Sequence, residues 1–250
     1  MNFDLDKIVS RRLRREGDLQ SMSYLLDQVN SELADRIAML GSPPKYLLQI
    51  DFENSTLKLP GNHLHRCCPL DGDNIIEAFS EKDHTLDAVV INIPLAWLDL
   101  EVLLPLVKSS LSEGGRFFFA TFGPDTLIEL RQAWAKIDSS PHVHPFIDLH
   151  HIGDLLVKTG FNKPIVDADW LGVEYQDIDL LLQDLRSEGF HNVSSNRRKT
   201  LTGKTRLESF KQLFSRSNEP VQMTFEILYG YAEVSPSTSK TIQVSVPTLG

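Results

Sequence analysis

LDAVVINI at residues 86–93 and RFFFATF at residues 116–122 are the two stretches that decide the fold. Each is a nearly continuous apolar run of strand length, which is typical of a strand buried on both faces of a parallel sheet. Residues 98–115 lie between them, and their apolar positions have the spacing of a helix that ends at a glycine pair. A strand, a helix and a second strand in this order predict a parallel sheet covered by helices.

The same alternation continues on both sides of this unit. KYLLQID at residues 45–51 has the length of an earlier strand, and residues 165–175 and 221–234 have the composition of later strands. Helical periods lie between the strands, and Asp148 and Asp177 are predicted to cap two of these helices. We therefore predict an α/β fold with a doubly wound, mostly parallel sheet, helices on both faces and residues 221–234 as an antiparallel edge strand.

Composition divides the chain into three parts. Residues 1–40 form a predicted N-terminal helical segment, because apolar residues recur there at three- and four-residue steps. Residues 41–234 form the main domain, in which about 176–215 are a predicted helical insert. Residues 235–250 are a predicted polar tail, rich in Ser, Thr and Pro.

Charge and cysteine content exclude several classes of protein. The 250 residues carry 25 Lys and Arg against 34 Asp and Glu, and this net charge of −9 argues against nonspecific nucleic-acid binding. The two cysteines, Cys67 and Cys68, are adjacent and cannot form a disulfide framework. No apolar run is long enough for a membrane-spanning helix, and the N-terminus, which carries Asp4, Asp6, Glu16 and Asp18, lacks a signal core. These features predict a cytoplasmic protein with no nucleic-acid or membrane partner.

Four histidines lie close together in the sequence but do not predict a metal site. His142 and His144 form an H-x-H step, and His150 and His151 follow on a predicted helix. Neither a cysteine nor an H-E-x-x-H pattern accompanies them. We therefore expect no bound metal.

Three segments in the second half of the chain resemble a known family. They are FGPDTLIELR at 122–131, HVHPFIDLHHIGDLLVKTGF at 142–161 and LLLQDLRSEGFHNVSSNRRKTLTG at 180–203. Together they resemble the malonyl-carrier-protein O-methyltransferase of biotin synthesis and, equally, the related mitochondrial complex I assembly factor. The resemblance extends over about residues 2–45 and 86–234. It implies the class I S-adenosylmethionine-dependent methyltransferase fold, a Rossmann-like sheet.

Directly after the first predicted strand, the sequence departs from the pattern of this family. A class I methyltransferase has a glycine-rich turn there, because the backbone must approach the cofactor closely. Residues 50–56, IDFENST, contain no glycine, and Glu53 would place a negative charge near the cofactor's carboxylate. The acid that holds the ribose hydroxyls has no convincing counterpart. About 40 residues separate Tyr46 from Asp87, so we predict a sheet that is shortened after the first strand and lacks a full helix over 52–64.

These departures predict a degenerate methyltransferase-fold protein that binds a protein partner without ordinary methyl transfer and holds no cofactor. The alternative is an active S-adenosylmethionine-dependent methyltransferase that acts on a malonyl-type carboxylate or a carrier-protein substrate. A third interpretation, hydroxylation of a protein arginine, follows from the assembly-factor relatives, but the sequence offers no iron-binding triad.

Three polar residues are the candidates for cofactor binding under the alternative. Asp51 and Asn92 end predicted strands at the edge of the sheet where such folds bind ligands, although either could simply cap a strand end. Asp71, with Asp73, falls where the family carries an acid that meets the adenine amino group, and an Asp-Gly turn explains the pair equally well.

Two short basic runs are the candidates for substrate or partner binding. Arg197 and Arg198 follow a predicted helix, and in a malonyl methyltransferase an arginine is expected to hold the free carboxylate. The other run, near the N-terminus, would contact an acidic protein partner. For both runs a solvated surface is the alternative interpretation. The residues of the N-terminal run are Arg11, Arg12, Arg14 and Arg15.

Overall fold

The computed structural model describes residues 20–39, 41–51, 57–59, 62–67, 78–79, 84–188, 190, 192, 194, 196–215 and 220–236. The strands are β1 (Tyr46–Ile50), β2 (Asn62–Cys67), β3 (Leu86–Asn92), β4 (Leu111–Phe122), β5 (Asn162–Tyr175) and β6 (Val221–Glu233). The helices are α1 (Gln20–Met39), α2 (Leu100–Ser110), α3 (Ile128–Ala135), α4 (Leu149–Thr159), α5 (Ile178–Ser187) and α6 (Lys204–Gln212), with a 3-10 turn at Pro94–Trp97.

The six strands form one mixed sheet in the order β2-β1-β3-β4-β6-β5. Strands β2, β1, β3 and β4 are parallel, and β6 pairs antiparallel with both β4 and β5. The predicted α/β fold with a doubly wound, mostly parallel sheet is therefore confirmed.

The predicted position of residues 221–234 at the sheet edge is wrong, because β6 is an interior strand and β5 forms the edge. Residues 225–229 of β6 are all buried, as expected for a strand with neighbours on both sides. Strand β5 instead alternates between exposed and partly buried residues over most of its length.

The first crossover is short, as the sequence predicts. Residues 57–59 are not helical, and β2 begins at Asn62 and runs parallel to β1. A complete helix over residues 52–64 is therefore ruled out. The glycine-free turn at 52–56 lies outside the described residues.

The sheet divides the apolar core into two layers. Strand residues alternate between the layers, as in Val90 and Phe118 on one face and Val89 and Phe117 on the other. Helices α1, α3, α5 and α6 cover the first face, and α2 and α4 cover the second. Among the described residues, no helix has the length and apolarity needed to cross a bilayer.

Helix α2 ends earlier than the glycine pair predicts. It stops at Ser110, because Leu111 already pairs with Leu86 in the sheet. The glycines join the sheet instead: Gly114 N donates to Val234 O at 3.0 Å, and Val234 N donates to Gly115 O at 2.9 Å. The predicted helix over 98–115 is therefore too long at its C-terminal end.

The predicted helix caps are present. The Asp148 side chain accepts a hydrogen bond from His151 N, and Asp177 accepts one from Leu180 N. Gly160 ends α4 with a φ of 84°, a left-handed conformation that favours glycine. These caps fix where α4 and α5 start, and α5 borders a cavity described below.

Candidate functional site

The carboxyl ends of β1 and β3 bring two predicted site residues together. These strands are neighbours, with Ile50 opposite Ile91, so Asp51 and Asn92 meet directly beyond the pairing. Asn92 Nδ2 lies 3.4 Å from Asp51 Oδ1 and 3.5 Å from Asp51 Oδ2. Gln49 Nε2 also donates to Asp51 Oδ2, at 3.2 Å.

Helix α1 supplies a further member of this group. Asn92 Nδ2 donates to Asn30 Oδ1 at 2.6 Å, the shortest hydrogen bond that the amide makes. The side chains of Asn30, Gln49, Asp51 and Asn92 thus form one hydrogen-bonded group, named here the Asp51 cluster. All four residues are buried, with Asp51 only 1% and Asn92 only 2% exposed. The polar groups at this end of the sheet are therefore directed into the protein.

One acceptor in the Asp51 cluster has no hydrogen-bond partner within the described part of the chain. It is Asn92 Oδ1, which is fully shielded from solvent. The next residue, Ile93, has a φ of 53°, which is strained for a β-branched side chain. Ile93 N donates to Ala120 O at 2.7 Å, so the sheet holds this strained turn in place.

Sequence reasoning did not identify Asn30, although a signal was present. Asn30 lies four residues after Leu26 and three before Leu33, so it is a polar residue within an apolar helical stripe. Such a residue faces the interior and needs a buried hydrogen-bond partner.

Helix α1 is fixed over the sheet by Arg36. The guanidinium donates to Glu32 Oε2 at 2.8 Å and to Asp167 Oδ2 on β5 at 2.9 Å. It also lies 4.0 Å from the ring centroid of Tyr229 on β6. These contacts hold α1, and with it Asn30, against the carboxyl ends of the strands.

The structure places Arg197 and Arg198 in internal contacts. Arg197 Nη1 donates to Ser194 O at 3.0 Å. Arg198 Nη1 pairs with Asp138 Oδ2 at 3.2 Å, and its Nε donates to Thr200 Oγ1 at 2.8 Å. The remaining predicted site residues, Arg11, Arg12, Arg14, Arg15 and Asp71, lie outside the described residues.

Asp138 is the anionic centre of this second group. Its Oδ1 accepts from His142 Nε2 at 2.9 Å, and Arg206 Nη1 lies 3.9 Å from its Oδ2. Burial alone would raise the pKa of the Asp138 carboxyl, but hydrogen bonds from His142 and from Ser140 N outweigh burial and hold this pKa below its ordinary value. Asp138 is therefore the ionised partner that organises the loop after α3.

An apolar cavity of about 170 Å³ lies between the end of the sheet, α3 and α5. We call it the inner cavity. Its walls include Phe122 and Phe225 from the strands, Leu130 and Trp134 from α3 and Leu185 from α5, and all five residues are buried. Such a wall offers dispersion contacts and few hydrogen bonds, so it suits an apolar group.

His144 adds a polar group to the wall of the inner cavity. It is 3% exposed and lies beside Trp97 and Phe146. Burial lowers the pKa of His144 to about 4, although hydrogen bonds with Ala96 and Asn192 act in the opposite direction. The imidazole is therefore neutral at neutral pH.

An open groove of about 530 Å³ adjoins the inner cavity. We call it the outer groove. The two depressions share four wall residues, so they adjoin, and the rings of His142 and Trp134 stack there with their centroids 3.8 Å apart. Polar residues along the outer groove include Arg131, Asp138 and two serines. The shared residues are Trp134, His142, Val143 and Phe146.

His142 and His144 each contact other protein groups. His142 is paired with Asp138, and His144 is enclosed by aromatic rings. Within the described ranges, no group of three or more His, Cys, Asp or Glu side chains is arranged to hold a metal ion.

Comparison with known proteins identifies relatives over most of the chain. A malonyl-[acyl-carrier protein] O-methyltransferase from Xylella fastidiosa is 30% identical over 96% of this chain and 86% of its own length. One from Nitrosospira multiformis is 37% identical over 66% of this chain and 55% of its own length, so the chain spans about half of that relative. No protein-family model matches the sequence.

Among solved structures, a SAM dependent methyltransferase from Archaeoglobus fulgidus is similar. It aligns with a TM-score of 0.41 and 14% identity over 83% of this chain and 94% of that protein.

Proposed function

The chain belongs to the malonyl-[acyl-carrier protein] O-methyltransferase family, and from this membership we propose that it is a degenerate member which binds a carrier-type protein partner without ordinary methyl transfer. The family resemblance predicted from the sequence is confirmed. The proposal concerns what this member has lost and what it has retained.

The Asp51 cluster is the observation that carries the proposal. A bound S-adenosylmethionine would need the strand-end polar groups to face it, whereas Asp51 and Asn92 are buried and bonded to each other and to Asn30. Each buried polar group left without its partner costs about 1–3 kcal/mol. Breaking the Asn92 contacts would therefore weaken cofactor affinity by about 5- to 150-fold for each group.

Retention of the second half supports the partner-binding part of the proposal. The relatives are named for action on malonyl-[acyl-carrier protein], an acyl group carried by a protein. Residues 122–203, where the resemblance is most specific, supply most of the walls of the inner cavity and outer groove. We propose that these depressions receive the acyl-bearing arm of an acidic carrier protein.

An active S-adenosylmethionine-dependent methyltransferase remains the second candidate, because a relative named for methyl transfer matches 96% of the chain. This candidate requires that the cofactor bind although residues 50–56 contain no glycine. The two candidates therefore differ in cofactor affinity.

A calorimetric titration of the purified full chain with S-adenosylmethionine tests the proposal. We expect no binding tighter than about 1 mM, because a ligand would have to break the Asp51 cluster. The Archaeoglobus fulgidus SAM dependent methyltransferase serves as the positive control under the same conditions. A dissociation constant in the micromolar range for this chain would instead overturn the proposal and favour the second candidate.

A matched pair of variants identifies which residue closes the site. Asn30→Ala removes the α1 contact to Asn92, whereas Asn162→Ala removes an amide on the far strand, which donates to Glu233. If the Asp51 cluster blocks the cofactor, Asn30→Ala tightens binding and Asn162→Ala leaves it unchanged. Equal behaviour of both variants would show that another feature excludes the cofactor.

A further inference from the structure

We propose that the inner cavity holds a short, uncharged acyl chain, and that the thioester arm carrying this chain leaves through the outer groove. This inference rests on the proposed carrier-type partner and specifies the acyl class. The proposed acyl group differs from malonyl, the group for which the relatives are named, because a malonyl group ends in a charged carboxylate.

The chemistry of the inner cavity favours an uncharged guest. Its wall consists mainly of aromatic and aliphatic side chains, and the more deeply buried of its two histidines, His144, is neutral at neutral pH. A carboxylate transferred into such a wall loses its hydration, and this loss is offset only where a cation or several donors replace the water. An alkyl chain loses no hydrogen bonds on entering.

Two of the arginines near the inner cavity are engaged by other protein groups. Arg198 is paired with Asp138, and Arg197 donates to Ser194 O. Arg186 borders the cavity, but its side chain belongs to an exposed residue of α5, so it lies at the solvent side. A cation at the mouth suits the polar arm of a thioester rather than the end of its acyl chain.

The volume of the inner cavity limits the length of the acyl chain that it can hold. An engineered apolar cavity of about 150 Å³ in another protein accommodates benzene, which has six carbon atoms. The inner cavity, at about 170 Å³, therefore fits an acyl group of similar size, such as a hexanoyl group.

The outer groove provides the path for the arm. It adjoins the inner cavity at Trp134, His142, Val143 and Phe146, and it opens to solvent. Ser139 and Ser140 line it together with Arg131, and these groups can exchange hydrogen bonds with the amides of a pantetheine arm. An apolar cavity beside a groove that offers hydrogen-bonding groups thus suits the two parts of an acyl thioester.

Calorimetry with two soluble thioesters tests the inference on the full chain. We expect hexanoyl-pantetheine to bind at least about tenfold more tightly than malonyl-pantetheine, a difference of about 1.4 kcal/mol. Equal or tighter binding of malonyl-pantetheine would overturn the proposed acyl class.

Two substitutions on α5 show whether the acyl chain enters the inner cavity. Leu182 lines the cavity, and Leu180 on the same helix is also partly buried but does not line it. Leu182→Trp fills the cavity and should weaken hexanoyl-pantetheine binding at least about tenfold, whereas Leu180→Trp should leave it within about twofold. Unchanged binding in Leu182→Trp would contradict the assignment.

Folding of both variants is checked by their circular dichroism melting curves. If Leu182→Trp does not fold, Leu182→Phe replaces it, and the comparison of the two thioesters on the unaltered chain decides the acyl class in either case. The proposed function is tested separately, because tight S-adenosylmethionine binding would reject it whichever thioester binds.

Discussion

His144 illustrates how a single enclosed residue links the candidate site to stability. The imidazole is 3% exposed and lies among Trp97 and Phe146. Desolvation disfavours its charged form and lowers the pKa from the ordinary 6.5 to about 4. At mildly acidic pH, His144 is therefore protonated in the unfolded chain but stays neutral in the folded chain.

The sign of the resulting pH dependence follows from linkage. The contribution of neutral His144 is fully present above about pH 6.5 and is lost as the pH falls towards about 4. We expect His144→Gln to reduce the acid-induced loss of unfolding free energy over this range by at most about 3 kcal/mol. Urea unfolding at several pH values measures the change.

His150→Gln is the control for this measurement, because His150 is an exposed residue on α4. It should retain the pH dependence of the unaltered protein. Identical pH profiles for His144→Gln and the unaltered protein would show that the imidazole is protonated as readily in the folded state as in the unfolded state.

At the residue scale, strand ends could be predicted from the sequence but their partners could not. The sequence placed Asp51 and Asn92 at neighbouring strand ends because parallel strands end on the same side of a sheet. The contact from Asn30 depends on how α1 packs across the sheet, 62 residues away from Asn92. The pairing of Arg198 with Asp138 likewise joins residues 60 positions apart, so no pattern of neighbouring residues predicts it.

Among the elements, α1 is the one whose attachment controls the candidate site. Its apolar stripe of Leu25, Val29, Leu33 and Ile37 is buried against the first face of the sheet. Arg36 adds polar contacts to Glu32 and Asp167 and a cation–π contact to Tyr229.

Arg36→Ala should loosen α1 without unfolding the domain. We expect a loss of about 1 kcal/mol, because partly exposed ion pairs and a cation–π contact each contribute modestly. Hydrogen exchange of the α1 amides should accelerate more than that of β3 and β4. Lys158→Ala is the control, since Lys158 forms only an exposed pair with Glu101 at 3.9 Å; equal exchange in both variants would reject the role of Arg36.

Elements with local signals were predicted well, whereas those set by long-range pairing were not. Asp148, Asp177 and Gly160 marked helix ends through contacts within a few residues. The end of α2 was misplaced because the start of β4 is set by pairing of Leu111 with Leu86. The interior position of β6 depends in the same way on β5 pairing along its far side.

On the scale of the whole molecule, the two ends of the candidate site differ in openness. At the ends of β1 and β3, helix α1 covers the polar groups of the Asp51 cluster and Asn30 bonds to them. Beyond β4 and β6, the inner cavity and the outer groove open towards solvent. This division matches the sequence, in which the departure from the family lies in the first half and the specific resemblance in the second. We therefore expect ligand recognition to depend on residues 122–203 more than on the strand ends.

Net charge provides a further constraint on the whole molecule. The chain carries −9, yet four arginines fall within residues 11–15, outside the described residues. The net negative charge of the chain would repel an acidic carrier protein, whereas the positive charge of the N-terminal arginines would attract it. The N-terminal arginines would therefore affect the rate of encounter more than the contacts of the final complex.

Replacing Arg11, Arg12, Arg14 and Arg15 with Ala tests this idea. The variant has a net charge of −13, since four cations are removed from −9. A control that replaces the exposed Lys45, Lys58, Lys158 and Lys163 has the same net charge. We expect the arginine variant to keep its stability within about 1 kcal/mol and to bind an acidic acyl-carrier protein more weakly than the lysine control does.

The difference should be larger at about 50 mM salt than at about 500 mM, where screening removes the long-range attraction. Fluorescence anisotropy of the labelled carrier protein measures both affinities. An arginine variant that unfolds would show that the run packs against the domain. Equal affinities of the two variants at low salt would show that only overall charge matters, and the partner surface would then have to lie on residues 142–203 alone.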